Sequence, residues 1–207
     1  MTLAISLADF QASVSQVDSL IANSHQTDGN GNYLLPEIDR KQITVAAFLN
    51  MFIAWEAFLE SSIAKLMSGQ ATISGTLPTK FVSPPSIEAA HKMIIGTNRY
   101  FDFANIDNVR KIIGMYFNNG YPFEPHLSGI HSDVTDLRTM RNASAHISTS
   151  TQASLEALSQ RLLTTPQPGI TLYNLLTAQM PGAITGRTVL AEFRDKLLAA
   201  AQLIAQG

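Results

Sequence analysis

Arg141 and His146 stand in the run Arg141-Asn142-Ala143-Ser144-Ala145-His146, with an amide beside the arginine. Together these residue types suit metal-free cleavage of an RNA phosphodiester. The ribose 2′-hydroxyl attacks the adjacent phosphorus, a base takes its proton, an acid protonates the leaving oxygen, and a cation steadies the phosphorane charge. An unperturbed imidazole titrates near about pH 6.5, so His146 can do the proton work. The planar guanidinium of Arg141 can hold two phosphate oxygens, and Asn142 can donate to a phosphate or orient the imidazole. One histidine does not readily serve as acid and base together. A two-fold dimer that joins two copies of this segment would supply two histidines and two arginines to one cleft.

The segment must be carried on a helix. Ser132 is a fair N-cap, and the spacing predicts a helix from Asp133 to about His146, with Asp133 and Asp136 near its positive end. On that helix Val134 and Leu137 share a stripe with Arg141 and Ser144, so an arginine interrupts an apolar line. At about 100° per residue, Arg141 falls ~60° to one side of Arg138, while Asn142 and His146 fall ~40° and ~80° to the other. The four make one polar arc, on which Arg138 is either a contact to the RNA backbone or solvated surface. Two plainer readings stand beside the chemical one. The Arg141 stem can pack at the edge of the apolar face and bridge to Glu56 or Glu60, and His146 can cap the last helix carbonyls.

The elements around this helix are also helical. Leu3, Leu7, Phe10, Val14, Val17 and Ile21 alternate steps of four and three and predict a first helix to about His25. A mobile loop is expected over Asp28-Gly29-Asn30-Gly31. After Pro36 the longest helix follows, with Phe48, Phe52, Trp55, Leu59, Ile63 and Leu66 as its stripe and the core centred there. Residues 69 to 85 read as a long surface connection, rich in Gly and Pro. Ser86 caps a helix toward Ile95, and Asn105 opens one that reaches Phe117 before Gly120 and Pro122. A loop through Pro125 and Gly129 leads to the Arg141 helix. Three more helices are expected over about 152–163, 170–180 and 187–205. No strand alternation is present, so the fold class is all-α, with one domain over residues 1–207.

Composition narrows the function. The absence of cysteine removes disulfides, thiolate metal sites and cysteine nucleophiles, and suits a reducing cytoplasm. A net charge of −2 argues against a surface coated for non-specific nucleic-acid binding, so any RNA contact must be local. The charged share, 14%, is low against roughly 25% in an average protein, which fits a covered interface. His126 and His131 lie near Glu124 and Asp133, but the spacing of a zinc site is missing, so no metal is expected. Phosphate-binding glycine loops and the serine nucleophile elbow are absent from the sequence, and no cofactor is expected. The charge-free run Gln42 to Trp55 is shorter than the roughly 20 residues of a membrane span, and residues 1–10 lack a basic start. No membrane helix and no secretory signal are expected.

The run 141–146 resembles the arginine, polar residue, spacer and histidine motif of HEPN domains, the higher eukaryote and prokaryote nucleotide-binding domains. Three further segments are similar to the RiboL-PSP HEPN subgroup. They are Trp55-Glu56-Ala57-Phe58-Leu59-Glu60, Tyr100-Phe101-Asp102-Phe103 before Asn105, and Pro122-Phe123. The likeness covers roughly residues 37–150; residues 1–36 and 151–207 are expected as helical extensions of the same domain. The resemblance implies a helical bundle, a homodimer with the motif helices at its interface, and a metal-independent endoribonuclease, a toxin or defence effector restrained by an antitoxin or operon-associated partner. It places catalysis on Arg141 and His146 with Asn142 as companion. It also implies that Glu56 or Glu60 orients the arginine. A catalytically silent dimerisation or partner-binding module of the same fold is the alternative.

Overall fold

The structure, a computed structural model, describes residues 2–145, 148–182 and 186–207. The described residues form nine α-helices: α1 (Ala4–Ser24), α2 (Glu37–Met67), α3 (Ile87–Ile95), α4 (Ile106–Tyr116), α5 (Glu124–Gly129), α6 (His131–Ala145), α7 (Thr149–Leu163), α8 (Leu172–Thr177) and α9 (Val189–Gln206). A 3-10 turn covers Asn118–Gly120. Among the described residues extended pairing is limited to isolated bridges, and the fold is all-α. Two compact units comprise Met1–Ala12, Ala54–Thr135 and Lys196–Gly207 in the first, and Ser13–Ile53 with Asp136–Asp195 in the second.

The core of the first unit centres on Trp55, as the aromatic stripe predicts. Its ring meets Phe10 edge-on at 5.9 Å and Phe58 at 5.8 Å, and Leu59 and Ile63 are buried beyond it. Short helices here depend on their caps, because few turns cannot repay the cost of starting a helix. The Ser86 hydroxyl accepts from the Ala89 N–H at 3.1 Å, and Asn105 Oδ1 accepts from the N–H of Asp107 and Asn108. Both caps stand where the sequence predicts them.

Residues 69–85 form no helix, as expected, yet the segment is not simply surface: Thr72, Pro78 and Pro84 are buried. Proline lacks an N–H, so its ring can be covered without orphaning a donor. Lys80 Nζ donates to the Met67 carbonyl at the end of α2, and the Ile73 N–H donates to Ala205 at 2.8 Å. Burial pushes the Lys80 ammonium below its usual range.

The second unit buries Val14, Val17, Phe48, Phe52, Leu158 and Phe193. Its turn at 28–32 is held rather than loose. Asp28 Oδ1 accepts from the backbone N–H of Asn30 at 2.8 Å and of Asn32 at 2.9 Å, which lowers its carboxyl below the usual range. An isolated bridge joins Thr27 to Tyr33.

Several expected boundaries move. Residues 124–129, expected as loop, are α5, because Pro125 stands in the first turn where its missing N–H costs nothing, and six residues are too few to show a period. α6 starts at His131, so Ser132 lies inside it and not at its cap. α7 starts at Thr149 because Ser148 and Thr151 form a reciprocal capping box. α8 is shorter than expected, opening only where Thr171 Oγ1 accepts from the Asn174 N–H at 3.2 Å.

α2 also departs from the expectation of no membrane-length helix. Counting the charge-free run alone understates it, since a window of 18 residues in this 31-residue helix has a mean hydropathy of 1.5. By length and composition it is long and apolar enough to cross a bilayer. Its apolar stripe is nevertheless engaged within the chain, with Phe48, Met51, Phe52, Trp55 and Leu59 all buried. A core helix carries this hydropathy for the same reason, burial of one face.

Candidate functional site

The second unit carries the arginine of the motif on α6. Val134, Leu137 and Met140 are buried and anchor the helix, but Arg141, at nearly the azimuth of Val134 and Leu137, is exposed. The apolar line therefore ends at Met140 and is not interrupted by a buried cation. Past the last buried turn α6 continues to Ala145, which carries Arg141 into solvent. Arg141 Nη1 donates to Asn142 Oδ1 at 3.3 Å, and Asn142 is half-buried. Arg138, one turn earlier, is half-buried rather than solvated surface. His146 lies outside the described residues.

Both acids of α6 are used in ion pairs as well as near the positive helix end. Asp133 accepts from Lys196 at 2.8 Å in the first unit, and in the second Asp136 accepts from Arg161 of α7. The Asp136 side chain is 12% exposed and that of Arg161 is 56% exposed, so this pair holds a nearly buried carboxylate with a cation that keeps one side in water. The described part of the motif, Arg141 to Ala145, forms the end of α6, and α7 begins after its Ser148 cap.

Glu56 and Glu60 belong to the first unit, both half-buried on α2. Glu60 Oε1 lies 3.2 Å from His91 Nδ1 of α3, so it has a partner that the sequence reading did not anticipate. The other histidines of this unit also have structural surroundings. His131 Nε2 meets Asp107 Oδ1 at 2.9 Å, and this hydrogen bond holds the Asp107 carboxyl below its usual range. His126 is half-buried, and loss of hydration lowers its imidazole pKa. Among the described residues no three His, Asp or Glu side chains gather as a metal site.

One polar cluster escaped the sequence reading. In the second unit the His25 ring lies parallel to Tyr173 at 6.5 Å and edge-on to Tyr33 at 6.1 Å. The Arg40 guanidinium sits 3.5 Å from the Tyr33 centroid, and Lys41 Nζ lies 5.7 Å from that of Tyr173. His25 Nδ1 lies 2.9 Å from both the Ile21 carbonyl and the Ser24 hydroxyl, and Nε2 lies 3.4 Å from the Tyr173 hydroxyl. The cluster gathers just past the end of α1, with Tyr33 following the 28–32 turn. His25, Tyr33, Arg40 and Lys41 are near one another in sequence, but Tyr173, 148 positions from His25, completes the group only on folding.

The described geometry supplies an exposed cation and a neighbouring amide at a helix end, on a helix also held by the Asp136–Arg161 pair. Comparison of the chain with protein-family models, curated proteins and solved structures finds no match.

Proposed function

We propose that this chain is a metal-independent endoribonuclease of the HEPN type, acting as a homodimer in which two copies of the Arg141 segment form one cleft. The observation that carries the proposal is the exposure of Arg141 one residue beyond buried Met140, with its guanidinium beside Asn142. A cation kept in water at the end of an anchored helix is available to a phosphate, whereas one consumed by packing is not. In the proposed reaction His146 takes the 2′-hydroxyl proton as the oxygen bonds to phosphorus. The bond from phosphorus to the 5′-oxygen breaks, that oxygen is protonated by the partner copy's histidine, and a 2′,3′-cyclic phosphate remains. Arg141 neutralises the charge of the phosphorane, and Arg138 contributes to holding the RNA backbone. The setting is a cytoplasmic toxin or defence effector restrained by a partner protein.

The test is cleavage of a labelled mixed-sequence RNA in EDTA by the wild type, Arg141→Ala and His146→Ala. The expected result is cleavage by the wild type alone, with cyclic phosphate ends and losses of about 10²–10⁴ in the variants. No cleavage by a folded wild-type dimer, with or without divalent metal, favours the catalytically silent dimerisation module instead.

A further inference from the structure

Outside the Arg141 segment, the first unit carries three open cavities around α4, of about 790, 600 and 350 Å³. They are linked through shared walls. Lys111 lines both the 600 Å³ and the 790 Å³ cavity, and Asn118 with Asn119 lines both the 790 Å³ and the 350 Å³ cavity. The three cavities are neighbours along one stretch of surface, and we treat them together as a groove. At its two larger openings stand two aromatic side chains that folding has left in water: Tyr100, 76% exposed, and Phe81, 62% exposed. Their apolar faces have no core to serve.

The rest of the lining gives those rings a chemical context. Asn98 and Asn108 accompany Tyr100 in one cavity, and Asn118 and Asn119 accompany Phe81 in the next. Asn119 stands at a φ of 52°, a left-handed conformation in which Gly and Asn are favoured. Arg110 pairs with Glu124 and Asp107 with His131, and Asp102 adds a carboxylate to the Tyr100 cavity. Lys111 and Arg99 are exposed cations of the lining.

The geometry points to a binding groove for single-stranded RNA, with unpaired bases stacked on Phe81 and Tyr100 and their edges read by the four asparagines. Exposed rings, side-chain amides and a small number of cations match the needs of splayed-out bases, which offer π-faces and hydrogen-bonding edges. A duplex hides both, and a membrane surface would call for a basic field that this balanced lining lacks. The groove rests on the reading that RNA is the substrate and names the form in which RNA is held. Because two cations at most face phosphates, affinity comes chiefly from stacking. The salt slope of log K is then shallow, about −1.4.

The test measures binding of a 2′-O-methylated single-stranded RNA, which cannot be cleaved by 2′-hydroxyl attack, by fluorescence anisotropy. It uses the full chain, Phe81→Ala, Tyr100→Ala, Tyr100→Phe and Lys111→Glu, with folding checked by circular dichroism. Binding is expected to weaken about tenfold in each alanine variant, to recover in Tyr100→Phe, and to be weaker for duplex RNA. Wild-type binding that all variants retain overturns the groove and leaves the endoribonuclease reading in place. Binding lost in the variants, with unmodified RNA left uncut by the wild type, upholds the groove and removes the nuclease. No binding by the wild type, or equal binding of duplex, overturns the groove and turns the exposed rings over to a protein partner.

Discussion

Arg141 and Asn142, adjacent on the last turn of α6, are joined side chain to side chain by a hydrogen bond of 3.3 Å from Nη1 to Oδ1. The bond occupies the amide oxygen and leaves the Asn142 Nδ2 hydrogens to point elsewhere. Asn142 therefore acts as a rest for the guanidinium.

Arg141→Lys keeps the charge but loses the planar fork that Asn142 supports. The proposed endonuclease activity is expected to fall about tenfold or more, with a smaller loss in Asn142→Ala. Single-turnover cleavage by the two variants checks this, and wild-type rates in Arg141→Lys would deny any role to the fork.

Asp136 is nearly buried and its partner Arg161 is half in water. Arg161→Ala removes the Arg161 ion pair from this carboxylate and is expected to cost about 1 kcal/mol, read as a lower urea midpoint. A loss no larger than a few tenths of a kcal/mol would mean that the Arg161 pair adds little to what already holds Asp136.

Gly120 sits at a φ of 65°, and a Cβ there would meet Glu124 Cβ at 2.8 Å and Ile113 Cγ2 at 3.0 Å. Backbone sign and close approach both require glycine. Gly120→Ala is expected to destabilise by ~1–3 kcal/mol, measured as a fall in Tm, whereas Gly114→Ala, in open space on α4, is expected to stabilise by up to ~1 kcal/mol.

Ser62 Oγ is buried on α2 with no hydrogen-bond partner among the described residues. Ser62→Ala removes an unsatisfied hydroxyl and adds a better helix former, so stability is expected to rise by ~1 kcal/mol. Chemical denaturation of the two proteins decides it; a loss would show that the hydroxyl has a partner.

Burial lowers the His126 pKa below the value of about 6.5 that an unfolded chain shows. Between the two values the unfolded state binds more protons, so this contribution is complete above about pH 6.5 and declines as pH falls toward the folded-state value. His126→Gln is expected to flatten the decline in urea midpoint between about pH 7 and pH 5. An unchanged slope would place the pH dependence on other groups.

The long helices were legible because periodicity is a local property: α1 and α2 carry it over 21 and 31 residues. The caps at Ser86 and Asn105 were legible for the same reason, since a cap spans three residues. The motif around Arg141 was likewise visible as a spacing, although whether that arginine would be buried or exposed was not. That depended on where the core stops, at Met140, which no periodicity records. The partners of charged groups were equally hidden. Asp136 finds Arg161 25 positions away and Asp133 finds Lys196 63 away, because ion pairs are chosen by tertiary proximity and not by sequence distance. The sequence by itself determined an all-α chain, its main helices and the polar run 141–146. Tertiary structure alone decided which side chains share a groove or a carboxylate, because those neighbours are brought together only when distant helices pack.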